Sequence, residues 1–176
     1  MSKTTQLKVS KIKKAAKEVN KQIEHEFEDG STLKFYPIFP ELKIDELIED
    51  NQKLIREADE LGIELSEKMT YHLISLLIIK HFTHLGADIE DGVQNHIAFL
   101  EALIDSGYYK IIMEEVFLPA EISKVFDRMV DLVSQYQMME KLVEKTKEQV
   151  QRLELKNAEV FKQLENVGVE KQIPEV

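Results

Sequence analysis

Histidine is the residue type here with the most obvious capacity for chemistry, because its pKa lies near neutral pH and its ring nitrogens can bind a metal. The chain has five histidines. His81 and His84 are three residues apart, so a helix would place their imidazoles on neighbouring faces. Zinc sites use three or four protein ligands, and no spacing in the sequence identifies a third. The sequence therefore predicts surface or hydrogen-bonded core histidines, and no metal site.

Other patterns that support catalysis do not occur in the sequence. The chain has no cysteine, which excludes a thiol nucleophile, a disulfide framework and a cysteine zinc site. It contains no glycine-rich phosphate loop, nucleophile elbow or dinucleotide fingerprint. The segment 88–92 lacks the alternating carboxylates of a calcium loop and is more typical of a helix start. We therefore expect a protein that is not an enzyme, with no catalytic residues and no cofactor.

The length and composition favour one folded domain with an appendage. The chain has 176 residues, of which 43% are hydrophobic and 32% are charged, enough apolar residues to form a core. No apolar run approaches the roughly 18 residues of a membrane-spanning helix. The N-terminal lysines are not followed by the apolar segment of a signal peptide. Synthesis in the cytoplasm and no membrane partner are the resulting expectations.

Charge separates an N-terminal arm from the rest of the chain. Residues 1–22 contain seven lysines and one glutamate, a net charge of +6, whereas the remaining residues contain 16 basic and 32 acidic groups, a net charge of −16. An acidic body repels phosphate backbones, which makes nucleic acid an unlikely main partner. Within the arm, apolar residues recur at helical spacing from Ile12 to Ile23 and predict a basic amphipathic helix. The alternatives for the arm are a solvated terminus that leans on the acidic body, or a contact with nucleic acid or membrane.

A β-hairpin is predicted near the N-terminus. Apolar and polar residues alternate from Ile23 to Phe27 and again from Leu33 to Phe35, and Asp29-Gly30 between them provides turn chemistry. Pro37 and Pro40 then prevent the second strand from continuing. The apolar residues at this corner are the candidate partner-binding surface: Phe35, Tyr36, Ile38 and Phe39. The alternative is that they close the hairpin over the core.

Four helices are predicted between the hairpin and residue 118. The first spans Leu42 to Leu61, and the residues of its apolar face are Ile44, Leu47, Ile48, Ile55, Ala58 and Leu61. The second has Ser66 as its N-cap, is apolar nearly all round and should be the buried central helix, ended by Gly86 in a left-handed conformation. The third ends at Gly107, and the fourth runs from Tyr108 to Leu118.

A seven-residue repeat begins after Pro119. The first set of repeat positions is Ile122, Met129, Tyr136, Val143, Val150, Asn157 and Leu164, and the second set is Val125, Leu132, Met139, Thr146, Leu153, Val160 and Val167. Twelve of these fourteen residues are apolar, and neither Gly nor Pro occurs between Ala120 and Val167. This repeat predicts one long helix, about 70 Å at ~1.5 Å per residue, that forms a coiled coil.

The distal part of this repeat is the candidate oligomerisation seam. Its residues are Val143, Val150, Leu153, Asn157, Val160 and Leu164. A buried Asn in such a seam selects register and limits the size of the oligomer, whereas the alternative for Asn157 is that the helix end frays into solvent. The predicted organisation is a basic arm (1–22), a helical domain with a hairpin (23–118), a coiled-coil helix (119–167) and a flexible tail (168–176). The predicted fold class is therefore mainly α, within α+β.

Six segments follow one another in an order that resembles a known family. They are Leu33-Lys34-Phe35-Tyr36, Pro37-Ile38-Phe39-Pro40, Lys43–Ile48, Leu77–Thr83, Phe99–Gly107 and Glu121–Asp127. This succession resembles the tail assembly chaperones of long-tailed phages and prophages of Gram-positive bacteria, over residues 25 to 135. The lysine-rich arm and the length of the C-terminal helix depart from that family's pattern.

The resemblance implies a small, mostly helical, non-enzymatic protein in the cytoplasm of a bacterial host. Such a chaperone binds the tape measure protein or another long helical protein, self-associates along it, and promotes assembly of the tail tube before it is lost from the particle. The family has no catalytic residues to transfer to this chain. The alternative function is a structural or scaffolding oligomerisation adaptor that remains in the assembly, with the basic arm as a tether.

Overall fold

The computed structural model describes the backbone of residues 6–168 and the side chains of residues 6–151. In chain order its elements are α1 (Val9–Val19), β1 (Ile23–Glu26), β2 (Thr32–Phe35), α2 (Glu41–Glu60), α3 (Glu67–Phe82), α4 (Val93–Asp105), α5 (Tyr108–Ile111) and α6 (Pro119–Gly168). The mainly helical fold with one hairpin and a long C-terminal helix is confirmed. In this part of the chain, none of the helices combines the length and apolarity needed to cross a bilayer.

The two strands form the antiparallel hairpin that the alternating pattern predicts. Ile23 pairs with Phe35 and Glu26 pairs with Thr32, and the loop between the strands is closed by hydrogen bonds from the Phe27 and Gly30 amides. Gly30 has a φ of 82°, a left-handed conformation that glycine adopts without the steric cost of a Cβ. The β2 strand turns Leu33 and Phe35 into the core.

Helix α3 is the centre of the core, as its continuous apolar character predicts. It packs between α2 and α4, and its buried residues include Leu76, Leu77, Ile78, Ile79 and Phe82. The Ser66 hydroxyl accepts a hydrogen bond from the Met69 amide at 3.2 Å, which confirms Ser66 as the N-cap. A helix that is apolar nearly all round must pack against neighbours on most of its sides, and α2 and α4 are two of these neighbours.

The predicted role of Gly86 at the end of α3 is wrong. The helix ends at Phe82, and Thr83 is its extended C-cap, after which a 3-10 turn runs over His84–Ala87. The φ of Gly86 is not positive. A Cβ on Gly86 would lie 2.0 Å from the carbonyl oxygen of Lys80. Glycine is therefore needed here because two backbone segments approach closely.

Helix α2 buries a face that differs in part from the predicted one. Ile44, Leu47, Ile48, Leu54 and Ala58 are buried, but the predicted core residues Ile55 and Leu61 are 39% and 53% exposed. The prediction was wrong for these two residues. Helical spacing alone allowed either Leu54 or Ile55 on the inner face, and the position of α3 selects Leu54.

The predicted fourth helix is divided into two short parts. A single α-helical turn, α5, is followed by a π-helical turn over Ile112–Val116, which buries Ile112, Val116 and the following Phe117. Leu118 then precedes α6, and Pro119 is its first residue, a position where the missing N–H of proline costs nothing.

The chain divides into two compact units, residues 1–129 and 130–176, and the boundary falls inside α6. The first unit contains the hairpin, helices α1–α5 and the first turns of α6, with Val125 fully buried among them. The second unit is the rest of α6 and the residues beyond it.

Candidate functional site

The clearest candidate site in the second unit is an apolar stripe along α6. Tyr136, Met139, Val143 and Val150 are 62%, 63%, 48% and 48% exposed. Their spacing follows the seven-residue repeat, so these side chains lie along one side of the helix. We call this line of repeat positions the α6 seam. It presents large apolar side chains to solvent, as an unpaired coiled-coil helix does.

The far half of the candidate oligomerisation seam lies outside the described side chains. Leu153, Asn157, Val160 and Leu164 belong to the backbone of α6, but they follow residue 151. Their role in oligomerisation stays a prediction.

Methionines widen the seam near its start. Leu132, Tyr136, Met138, Met139 and Leu142, together with Gln135, line a shallow groove of about 450 Å³. Met138 and Leu142 are as exposed as the seam itself. Methionine side chains are flexible and polarizable, so they adapt to the shape of different partners. The groove is therefore chemically suited to an apolar helix surface.

The hairpin corner is not the exposed surface that the sequence suggested. Phe35 and Phe39 are only 6% and 1% exposed, whereas Ile38 is 46% exposed, and Tyr36 is half-buried. The prediction of an exposed aromatic corner is wrong for both phenylalanines. Phe39 stacks on Phe82 and meets Phe117 edge to face at 5.1 Å, so the corner closes the hairpin over the core.

Polar contacts from α6 hold this corner in place. The Phe39 amide donates to Oε2 of Glu121 at 2.7 Å, and Nζ of Lys124 donates to the Phe39 carbonyl at 3.1 Å. Nζ of Lys124 also lies 2.8 Å from Glu121 and 3.5 Å from Glu41. Burial alone would lower the pKa of Lys124, but its hydrogen bonds and charge interactions with these two carboxylates outweigh burial and raise it. These polar groups therefore have a structural role, which is to hold Phe39 against α6.

His81 and His84 form hydrogen bonds with different partners. His81 Nε2 donates to Oδ2 of Asp50 at 3.0 Å, and the His84 Nδ1 accepts from the Lys34 amide at 3.2 Å. Burial lowers the pKa of His81, although the neighbouring Asp50 opposes this shift. Within the described residues, no group of three or more His, Asp or Glu side chains is placed to hold a metal ion. His81 and His84 are therefore hydrogen-bonded within the fold.

A partly buried polar cluster links three helices around Lys80. Its Nζ lies 3.3 Å from Asp50 of α2 and donates to Nε2 of His96, also at 3.3 Å, on α4. His96 is 1% exposed, and its Nδ1 donates to the Gly92 carbonyl at 2.8 Å. Among the described residues, no buried side-chain nitrogen or oxygen atom lacks a hydrogen-bond partner. The cluster therefore helps to fix the packing of α2, α3 and α4.

Comparison with known proteins shows which family the chain belongs to. The family model described as YomO matches residues 9–171. The chain belongs to the YomO family. The name is of the kind given to phage and prophage proteins. No curated protein and no solved structure matches the chain.

The YomO match covers more of the chain than the resemblance found from segment order. It begins at Val9, the first residue of α1, and extends beyond Gly168, the last residue of α6. The basic helix and the long C-terminal helix, which depart from the tail assembly chaperone pattern, are thus both part of the YomO family's sequence pattern. The family name thus supports a phage-related protein, as the resemblance implied.

Sequence reasoning missed the polar groups that lock the first unit together. Glu121 contacts Phe39 across 82 positions and His96 contacts Lys80 across 16. Neither pair has a spacing that identifies it in one sequence. The only available signal was that His96 falls on the same helical face as Leu100 and Leu103, which are also buried.

Proposed function

We propose that this YomO protein is a non-enzymatic assembly chaperone of a phage tail. Its partner is a long helical protein of the tape measure type, and it acts while the tail tube assembles. The observation that carries this proposal is the exposed α6 seam, from Tyr136 to Val150. An apolar stripe of this length is uncommon on a soluble monomer and favours a helical partner.

The chemistry of the seam supports a helix as its occupant. Seven-residue spacing places apolar side chains every turn or two along one side, where a second helix packs its own apolar face. Each Å² of apolar surface removed from water contributes about 25 cal/mol. The adaptable methionines at the start of the seam suit a partner whose surface changes along its length.

Family membership supports the phage setting of the proposal. The YomO model matches nearly the whole chain, and the polar clusters of the first unit are occupied in holding its helices together. Among the described residues, the exposed apolar surface of α6 is the feature that supports the proposal.

Self-association is the second part of the proposal. We place it on the same seam, in the distal region that begins at Val143, and we place the helical partner nearer the groove at Met138 and Met139. A chaperone that coats an elongated protein needs both contacts, one with its client and one with the next copy. Asn157 sets the register of the self-contact.

Co-expression tests the proposal directly. The full chain is tagged and expressed with the tape measure protein encoded by the same phage or prophage, and recovery of that protein is measured. Met139→Asp should abolish recovery while the circular dichroism spectrum stays helical. Lys141→Asp, two residues away and off the seam, is the matched control and should leave recovery unchanged. Equal recovery with both variants would refute the assignment to the seam.

The adaptor alternative is distinguished by the composition of finished particles. A chaperone leaves before the particle matures, so mass spectrometry of purified tails should detect the tape measure protein without this chain. Stoichiometric presence of this chain in purified tails would show a structural or scaffolding adaptor instead.

A further inference from the structure

Helix α1 is an unpartnered basic amphipathic helix. It places Val9, Ile12, Ala16 and Val19 on one face through their helical spacing, and it buries none of its residues. Val9 and Ile12 are 68% and 52% exposed. The lysines of the helix occupy the remaining surface and give the arm its positive charge: Lys11, Lys13, Lys14 and Lys17.

A groove with the opposite charge lies at the corner between α2 and α3. It has a volume of about 650 Å³, and Ile55, Ile63 and Leu65 line it together with Asp59 and Glu64. The neighbouring Leu61 is 53% exposed. From Ile55 to Thr70 the chain has five acidic and two basic residues. The groove therefore combines an apolar floor with acidic walls.

The charged groups on both surfaces form no ion pair with another described side chain. Among the described residues, neither the α1 lysines nor Asp59 and Glu64 take part in any ion pair. Val9 and Ile12 of α1 are exposed, as are Ile55 and Leu61 at the groove, whereas Ile63 and Leu65 are half-buried. The two surfaces are therefore complementary in charge, and each has apolar area that the other could cover. Such complementarity is characteristic of helix-in-groove recognition.

We propose that α1 of one molecule docks in the α2–α3 groove of a second copy of this chain. The apolar face of α1 covers Ile55, Leu61 and Ile63, and its lysines pair with Asp59 and Glu64. The acidic charge of the rest of the chain disfavours a phosphate surface as the main partner, whereas it favours this contact. The inference does not depend on the proposed chaperone function.

The contact has a geometric consequence. Helix α1 and the groove are different surfaces of the same molecule, so each copy can offer α1 to one neighbour and its groove to another. Such head-to-tail contacts produce open chains or closed rings, in contrast to the two-fold pairing of identical patches. The contact thus provides a way to line up copies that is separate from the α6 seam.

Site-directed cross-linking tests the proposal with the full chain, which contains no cysteine of its own. An affinity-tagged Ala16→Cys protein is mixed with an untagged Leu61→Cys protein and treated with a short bismaleimide. We expect a product that contains one tagged and one untagged chain. Ile104→Cys, at an exposed position on α4, replaces Leu61→Cys as the control and should give almost no product.

Charge reversal makes the test specific. Lys13→Glu with Lys17→Glu in the tagged protein should lower the cross-linked fraction about tenfold, because like charges then face each other. Asp59→Lys with Glu64→Lys in the untagged protein should restore it. A helical circular dichroism spectrum and unchanged melting temperature for each variant would show that the fold is kept.

Three results would overturn the inference. The first concerns a third protein that carries both Ala16→Cys and Leu61→Cys. If a cross-link forms only within this chain and not between the two single variants, α1 docks in the groove of its own molecule. The second is equal cross-linking at Leu61→Cys and Ile104→Cys. The third is no cross-link between copies. If the wild type then binds vesicles of anionic lipid and the lysine-reversed variant does not, the partner of α1 is a membrane surface instead.

Discussion

The rings of Phe39 and Phe82 stack face to face, with centroids 3.8 Å apart and planes that differ by 3°. Both side chains are almost completely buried. Phe39 belongs to the loop after the hairpin and Phe82 to the last turn of α3, so this pair joins the hairpin corner to the central helix. Aromatic pairs of this kind add stability beyond their buried area.

Removing the Phe39 ring should therefore destabilise the whole first unit. We expect Phe39→Ala to lower the free energy of unfolding by about 3–5 kcal/mol, the usual cost of truncating a buried phenylalanine. Urea denaturation followed by circular dichroism measures it. Ile38→Ala, at a neighbouring exposed position, is the control and should cost much less. Similar costs for both would mean that Phe39 is not in the core.

Gly86 should not tolerate a side chain. A Cβ there would lie 2.0 Å from the Lys80 carbonyl oxygen, so Gly86→Ala forces the backbone apart and should cost about 1–3 kcal/mol, as overpacking usually does. Thermal and urea denaturation measure the loss. Asp88→Ala, on the exposed surface nearby, should leave stability within about 0.5 kcal/mol of wild type. An unchanged Gly86→Ala protein would contradict the close approach.

Acid should destabilise the cluster that joins α2 to α3. The pKa of His81 is lowered from its usual 6.5 by burial, so below that pH the unfolded chain binds more protons than the folded one. The pKa of Asp50 is also lowered from 3.8: burial opposes the shift, but its interactions with Lys53, Lys80 and His81 outweigh burial. The His81 contribution is thus lost as pH falls through about 6.5 and below. The Asp50 contribution is lost further down, as pH falls from 3.8 towards its folded pKa.

Melting temperatures measured between neutral pH and about pH 3 check this expectation, because the Asp50 contribution is lost only below 3.8. The wild type should lose stability steadily, and His81→Gln, which cannot ionise, should show a shallower slope between pH 7 and pH 5. Identical slopes for the two proteins would show that His81 does not contribute.

Self-association should depend on the α6 seam. We expect Val143→Asp with Val150→Asp to lower the mass of the oligomer by removing the contact through the seam, because each charge would have to be buried there without a partner. Light scattering after size-exclusion chromatography measures the mass. Lys145→Asp, between them and off the seam, should keep the oligomer. A wild type that is monomeric at tens of micromolar would refute self-association by the seam.

Asn157 should limit the oligomer. If its amide is buried in the seam, Asn157→Val should raise the melting temperature and broaden or enlarge the distribution of oligomers. The same light-scattering and melting experiments detect both changes. If the helix end frays instead, neither quantity will move, and Asn157 has no role in specificity.

The sequence determined the elements with strong local or periodic patterns. The hairpin follows from alternation around Asp29-Gly30, α3 from its all-round apolar character, and α6 from a repeat that no Gly or Pro interrupts up to Val167. These patterns depend on near neighbours, which a single sequence displays directly. The seven-residue repeat that places the seam residues on one side of α6, as far as Val150, could be read from the sequence for the same reason.

Only the tertiary structure decided which apolar residues are covered. Phe39 and Ile38 are adjacent and both apolar, yet α3 and α6 enclose the first and leave the second exposed. In α2, Leu54 rather than Ile55 turns inward, because the position of α3 selects the face. The same applies to Gly86, whose need for a bare Cα arises from the Lys80 carbonyl. Periodicity gives the direction of a side chain on its own element, but burial depends on what packs against that element.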